Sequence, residues 1–324
     1  MISLNLSKCK GFAAHRSGWS FCMHALKPFH SLSGIFVDDF VERSFSWQVD
    51  NLFYGPNVHN LPYRREWVGF MHNPPDVPNW FDTYNSPQAI IDRDAFKESL
   101  KYCKCLITLS DYLKNWLSDR LDVPVISIRH PTEIPQSKWC PIKFRDNPHP
   151  PVMQIGYWLR NMKSILALKT SYPYRKVWLP SSPEYAIQML HVQEKTQCEK
   201  DGDRYMWASV EYMKWVSNYE YDELLTSGVV FLDLYDSSAN NAVIEAIARN
   251  TPILVNRLPA VVEYCGEDYP LYYDNLDEAA ALLCDKQKIF DAHEHLKALD
   301  TRWLSGNYFA ADLSNKLERV LVDS

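Results

Sequence analysis

The stretch FLDLYDSSANNAVIEAIARNTPILVNRLPAVVEYCG, residues 231–266, decides how this chain is read. With the two valines before it, it opens on VVFLDLY, a nearly continuous apolar run of the kind that a strand covered on both faces of a parallel sheet requires. The run ends at Tyr235. A polar loop, Asp236 to Asn241, leads into the helical NAVIEAIARN, and TPILVNR returns as a strand. Strand, loop, helix, strand is the unit of α/β layering. Small and amide side chains in the loop let backbone N–H groups at the helix N-terminus face a ligand, a geometry that suits phosphate. Glu245 falls near the first turn, where a carboxylate can grip ribose hydroxyls. A polar cap on a core helix, with Glu245 a surface charge favoured by the helix dipole, accounts for the same residues equally well.

The same rhythm runs outward in both directions. Downstream, NLDEAAALL is helical with Asn275 at its cap, and NYFAADLSNKLERVLVDS sets Phe309, Leu313, Leu317 and Val320 at helical spacing. Upstream, PVMQIGYW and RKVWLP are strands on either side of the helical NMKSILALK, and YDELLTSG is a helix with Gly228 as its C′ residue. In the first half SGIFVDDF, WVGFM, CLITLS and PVISIRHP read as strands. DRDAFKESLKYC and SDYLKNWLSDRL read as helices, the second capped by Ser110. FRDNPHPPVMQIGYW carries three Pro within residues 148–151 and interrupts the pattern, which places a hinge near 145–152. The expected division is 1–148 and 149–302, two α/β domains, with a final helix over 303–324. A length of 324 residues also points to two domains.

Composition removes several functions. Hydrophobic residues at 46% and charged residues at 23% exclude a disordered chain. A net charge of −6 provides no basic field for a polyphosphate backbone, so nucleic acid is not an expected partner. No stretch approaches the roughly eighteen apolar residues of a membrane-spanning helix, and the first residues lack the apolar run of a signal peptide; a cytoplasmic location is expected. The Cys residues at 9, 22, 103, 105, 140, 198, 265 and 284 have no CxxC and no paired zinc spacing, so they read as reduced, packed thiols. His293 and His295, two apart on a helix, point to different faces and read as surface residues. The DGD at 201–203 has no strand before it, so no metal is expected.

The run SSANNAVIEAIARNTPILVNRLPAVVEYCG resembles the nucleotide-sugar signature of GT-B glycosyltransferases, specifically the GT4-like group. That signature has a Glu, seven residues, a second Glu, then a small-residue helix and Gly-Thr-Pro-Val. Its second Glu falls on Glu245, ARNTPILV matches the sequence that follows, and Asn250 replaces the usual Gly. Its first Glu, which holds the donor sugar, falls on Ser237, with Asp236 beside it. The resemblance implies that Glu245 holds the ribose and that Ser237, Ser238, Asn240 and Asn241 contact donor sugar and phosphates. Glu263 in PAVVEYCG matches a later Glu-Ile segment.

VMQIGYWLRNMKSILALK resembles the strand, Gly and basic residues that open the family's C-terminal domain. Gly156 is in place, and Tyr157 stands where an Arg usually follows. The resemblance then puts Arg160 and Lys163 on the leaving diphosphate; on residues alone they are a solvated helix start. REWVGFMHNPPDVPNWF delivers His72 from a strand end, and the family has a strand-end His facing the reacting sugar, although a lone His is more often structural. Asn73, Asp76 and Trp80 would line the acceptor side. KGFAAHRSGWSFCMHAL resembles the family's first loop, where Gly18 permits close backbone approach and Arg16 or Ser17 contributes.

The resemblance implies the GT-B fold, two Rossmann-like parallel-sheet domains facing across a cleft that closes about the hinge. It also implies a hexosyl or related transferase of polysaccharide biosynthesis. The enzyme would move a sugar from a nucleotide diphosphate sugar to an acceptor glycan or glycolipid, with retention and with no cofactor or metal beyond the donor. Peripheral membrane contact is compatible with this. A nucleotide-sugar epimerase shares the architecture. A non-catalytic nucleotide-sugar-binding protein is the third reading, supported by the replaced first Glu and the missing Arg after Gly156.

Overall fold

The computed structural model describes residues 2–9, 18–47, 61–170, 172–180, 183–196 and 209–323. Its contacts divide the chain into two compact units. The first comprises Met1–Val77, Asp82–Glu133 and Thr301–Ser324; the second comprises Pro78–Phe81 and Ile134–Asp300.

In the first unit the chain forms β1 (Leu4–Asn5), α1 (Trp19–Ala25), β2 (Ile35–Asp38), β3 (Trp67–Met71), α2 (Pro87–Ile91), α3 (Asp94–Leu100), β4 (Cys103–Thr108), α4 (Asp111–Ser118) and β5 (Val125–Ser127). The strands are parallel and lie in the order β1-β2-β3-β4-β5, so the sheet grows in one direction. Every residue of β3 is buried, as its unbroken apolar sequence requires. Phe36, Phe45, Trp67, Phe96, Leu113 and Leu117 form the core around it. Ser110 caps α4 where the sequence places the cap, its hydroxyl accepting the Leu113 N–H at 3.2 Å.

The second unit adds α5 (Pro141–Asp146), β6 (Pro151–Ile155), α6 (Ser164–Ala167), β7 (Arg175–Leu179), α7 (Pro183–Thr196), β8 (Val210–Tyr212), α8 (Asn218–Ser227), β9 (Val229–Leu232), α9 (Asn241–Arg249), β10 (Ile253–Asn256), α10 (Pro259–Cys265), β11 (Tyr272–Tyr273), α11 (Leu276–Cys284) and α12 (Lys286–Ala298). Its parallel strands lie in the order β11-β10-β9-β6-β7-β8. The chain starts at the centre with β6, winds out to β8, then returns to the other side of β6 and winds out to β11. This is the doubly wound dinucleotide-fold order, and the β6/β9 seam is its topological switch point. The last helix, α13 (Gly306–Asp323), belongs to the first unit and packs on α1.

Four details differ from the sequence expectation. The chain passes between units at Glu133–Ile134, ahead of the Pro-rich run, because Trp139 is anchored in the second unit. Its indole N–H donates to the Gly228 carbonyl at 2.8 Å and its backbone N–H to the Arg249 carbonyl at 2.8 Å. The helix expected over NMKSILALK shrinks to α6, since residues 156–163 are taken up by a loop. Gly228 has φ −129°, not a left-handed cap; a side chain there would run into the Pro151 carbonyl. His293 and His295 are not free surface residues. They donate to the Asn250 and Cys265 carbonyls, each at 2.7 Å, closing the C-terminal ends of α9 and α10.

Candidate functional site

The loops that follow β6 and β9 are laced together. Arg160 and Leu234 form an antiparallel bridge. The Asn161 N–H donates to the Asp233 carbonyl at 2.8 Å, and the Tyr235 N–H to the Leu159 carbonyl at 3.0 Å. Asp233 Oδ2 accepts from Ser164 Oγ at 2.6 Å and Asn161 Nδ2 at 3.1 Å, while burial pushes its carboxyl above the usual range. Gln193 reaches in from α7 and donates to Asn161 Oδ1 at 2.6 Å and to the Tyr235 hydroxyl at 3.1 Å. The loop backbone is held in unusual conformations: Gly156 has φ +82° and Leu159 φ +53°. A non-glycine residue at positive φ costs about 1–3 kcal/mol and persists only where its surroundings impose it.

Gly156 is required twice over. Besides its φ, a Cβ there would meet the Arg160 Cζ at 2.9 Å. Arg160 thus lies against the bare backbone at the end of β6. Its Nη1 donates to the Trp158 carbonyl at 2.6 Å and its Nη2 to Asn240 Oδ1 at 3.2 Å. Its Nε is buried with no partner, and among the described residues no carboxylate pairs with it. Burial pushes the guanidinium down to about 10, with Tyr221 and Tyr157 opposing the shift, so it remains a cation at neutral pH. Lys163 is 8% exposed on the last turn of the same loop. Tyr157 is half-buried.

Across the seam, Asn240 is the N-cap of α9. Its Oδ1 accepts from the Ala242 N–H at 3.0 Å and the Val243 N–H at 3.5 Å as well as from Arg160. Two of the helix N–H groups that the sequence offered to a phosphate are therefore satisfied by the cap itself. Ser237 and Ser238 are buried, with the Ser237 N–H donating to Asp236 Oδ1 at 2.7 Å; Asn241 is exposed. Glu245, one turn further along α9, accepts from the Tyr221 hydroxyl at 2.5 Å. The structure brings Gly156, Arg160, Asn240 and, through Tyr221, Glu245 into one neighbourhood. Trp80 also belongs to this unit, its ring edge-on to Tyr235 at 5.3 Å.

The first unit carries the other expected residues. His72, directly after β3, stacks on Phe40 at 3.9 Å and meets Trp19 edge-on at 4.4 Å. Its Nε2 donates to the Asp39 carbonyl at 3.0 Å, which leaves the lone pair on Nδ1. Burial pushes the imidazole down to about 3, so it is neutral. Asn73 is buried and donates Nδ2 to the Asn85 carbonyl at 2.8 Å; Asp76 accepts from the Tyr112 hydroxyl at 3.1 Å. Gly18 precedes α1 at φ −82°, a conformation that does not require glycine. Arg16, Ser17 and the DGD at 201–203 lie outside the described residues.

Beside His72 stands a group that the motifs did not single out. Asp38, Asp39 and Glu42 are all buried, with Arg43 paired to Asp39. Glu42 Oε1 accepts the His72 and Asn73 N–H groups at 2.6 and 2.7 Å, while its Oε2 is buried with no partner. Burial pushes Asp39 and Glu42 up to about 7 each. The signal was legible as VDDFVER, four ionisable residues within six positions after an apolar strand. Among the described residues no group of three or more His, Cys, Asp or Glu is placed to hold a metal ion, and no helix is long and apolar enough to cross a membrane.

Two parallel-sheet α/β units, one of them doubly wound, make up the GT-B fold. Solved structures agree. The chain is similar to an α,α-trehalose-phosphate synthase (UDP-forming) from Burkholderia vietnamiensis, with TM-score 0.53 and 14% identity over 80% of this chain and 68% of that one. It is similar to a sucrose-phosphate synthase from Thermosynechococcus elongatus, with TM-score 0.58 and 13% identity over 90% and 74%. It is also similar to HepE of Anabaena, solved with UDP and glucose, with TM-score 0.59 and 11% identity over 79% and 72%. No protein-family model matches the chain, and no curated protein matches it in sequence.

Proposed function

We propose that this chain is a glycosyltransferase that moves a sugar from a nucleotide diphosphate sugar to an acceptor glycan or glycolipid, with retention and without a metal. The observation that carries the reading is Arg160. A cation at the switch point of a doubly wound sheet, with an orphaned Nε and no carboxylate partner among the described residues, suits an anion that arrives and leaves. Arg249, buried in the same unit, is instead paired with Asp222 at 2.7 Å.

In the proposed reaction the bond from the anomeric carbon to the β-phosphate oxygen breaks and an acceptor oxygen replaces it on the same face. Nucleoside diphosphate and a proton are released. Arg160 and Lys163 stabilise the charge growing on the diphosphate; a preorganised donor of this kind contributes about 2.7–4 kcal/mol to the transition state. Glu245 takes the ribose hydroxyls, and Ser237, Ser238, Asn240 and Asn241 take the sugar and phosphates with their backbone and side chains. His72, neutral, receives a sugar hydroxyl on Nδ1 instead of carrying a proton, and Asn73 and Asp76 serve the acceptor. A UDP-forming enzyme and a UDP complex among the similar structures favour a uridine nucleotide as donor.

A thermal-shift screen across UDP-, GDP-, ADP- and dTDP-sugars tests this, because a ligand bound only by the folded state raises the apparent stability. The expected result is one stabilising donor class, followed by release of nucleoside diphosphate when acceptors are supplied. A sugar returned epimerised, or no stabilisation by any donor, overturns the reading.

A further inference from the structure

We propose that Tyr221 on α8 positions the carboxylate of Glu245 and thereby sets the preference of the site for ribose over deoxyribose nucleotides. The inference rests on the reading of Glu245 as the ribose ligand. The Tyr221 hydroxyl donates to Glu245 Oε2 at 2.5 Å, the short distance typical of a bond to an ionised acceptor. The arrangement around it is fixed on two sides. The Arg249 guanidinium lies over the Tyr221 ring at 5.9 Å, donates to the Glu245 carbonyl at 3.2 Å, and is tied to Asp222 at 2.7 Å. Adjacent residues of α8 therefore grip residues one turn apart on α9: Tyr221 holds Glu245 and Asp222 holds Arg249. Tyr221 also lies within electrostatic reach of Arg160. It is the common neighbour of the groups proposed for ribose and for diphosphate, and nothing in YDELLTSG marks it out.

The physical consequence concerns orientation. A carboxylate takes two vicinal hydroxyls only when its plane is fixed, and a side chain ordered in advance gives up no further freedom on binding. Without the phenol, Glu245 is still present but has lost a bond that fixes its plane. The loss then falls on ligands that offer both hydroxyls, and spares those that offer one.

The test uses the full chain and isothermal titration with UDP, GDP and ADP, each paired with its 2′-deoxy counterpart. For the nucleotide that binds, the wild type should prefer ribose about tenfold. Tyr221→Phe keeps the ring beneath Arg249; it should weaken the ribonucleotide about fivefold and leave the deoxy form within about twofold. Tyr221→Leu, also without a donor, serves if the Phe variant does not fold. Tyr221→Phe combined with Glu245→Gln should bind no more weakly than Glu245→Gln alone, since both remove one coupled unit. Equal loss for both sugars, or additive loss in the double variant, assigns Tyr221 a merely structural role and overturns the proposal while Glu245→Gln still lowers the ribose preference. If Glu245→Gln leaves that preference intact, or no nucleotide binds, the ribose reading itself falls and this one with it.

Discussion

The strand ends of the two units treat their guanidinium groups differently. At β6 and β9 Arg160 has no carboxylate partner among the described residues, and the nearby Asp233 carboxyl is held by Ser164 and Asn161. At β2 and β3 three carboxyls, Asp38, Asp39 and Glu42, are buried with one guanidinium, Arg43. The sheet orders explain the contrast. In the second unit the winding reverses between β6 and β9, the position at which doubly wound sheets take ligands, and the loops after these strands hold Arg160 through carbonyl and amide oxygens. Among the described strands of the first unit the order never reverses, and the segments after β2 and β3 close on each other, with Glu42 accepting the N–H groups of His72 and Asn73. In the proposed reading the charge at the switch point is kept for a ligand, whereas the charge at the ends of β2 and β3 is consumed by the fold.

The sharpest way to break this comparison is to truncate one arginine in each unit. Arg43→Ala leaves Asp39 buried without its partner, and removing one member of a buried pair costs about 3–5 kcal/mol of stability. Chemical denaturation should register that loss. Arg160→Ala should leave the denaturation midpoint close to that of the wild type and lower kcat/KM by about 10²–10³, the cost of one preorganised donor. A stability loss at Arg160 equal to that at Arg43 would mean that both cations are structural, and the contrast between the units would vanish.

The buried carboxyls of the first unit predict a pH dependence of definite sign. In the unfolded chain Glu42 ionises near 4.5, and in the fold burial pushes it up to about 7. Between these values the folded protein holds a proton that the unfolded chain has released, so this group's contribution is complete below pH 4.5 and is lost as the pH rises through 7. Asp39 acts in the same direction, whereas His72, pushed down to about 3, takes stability away as the pH falls below 6.5. Comparing the wild type with Glu42→Gln isolates one member of this set. The glutamine oxygen still accepts the two N–H groups, so the two proteins should match near pH 4, and the variant should be more stable by up to about 3 kcal/mol at pH 8. Parallel stability curves across that range would remove Glu42 from the account.

These two regions also differ in how far they could be read from sequence. VVFLDLY and NAVIEAIARN carry their strand and helix periods openly, and Ser110 and Asn275 cap the helices that their positions suggest. Gly156 was legible as a residue at a strand end. The lacing of its loop to the one after β9 was not, because the Arg160–Asn240 bond joins residues 80 apart and depends on strand order. Strand order is also what makes Tyr221 a neighbour of Glu245. The acidic run at 38–43 was visible, but only its burial distinguishes it from a solvated turn.

A smaller effect is expected at Gly156. Gly156→Ala forces φ +82° on an ordinary residue and sets a Cβ 2.9 Å from the Arg160 Cζ. The far end of a flexible side chain can give way, so the backbone conformation supplies most of the cost, about 1–3 kcal/mol. Because the displaced group is Arg160, donor affinity should fall together with stability. Gly228→Ala makes the useful contrast: φ is ordinary there and the obstacle is the Pro151 backbone, so stability alone should suffer.

The finest test compares two side-chain helix caps. Ser110 caps α4 by accepting from Leu113, and Asn240 caps α9 by accepting from Ala242 and Val243. Replacing either by Ala should cost about 1 kcal/mol of stability, the usual value of a side-chain cap. Only Asn240 also accepts from Arg160, at 3.2 Å. Asn240→Ala should therefore lower donor affinity severalfold where Ser110→Ala leaves it unchanged, and Asn240→Asp, which restores the cap, should recover the stability but not the affinity. The aspartate would supply the carboxylate partner that Arg160 lacks and so compete with the donor's phosphates for the cation. Equal donor affinity in Asn240→Asp and the wild type would show that an unpaired Arg160 is not what the site depends on.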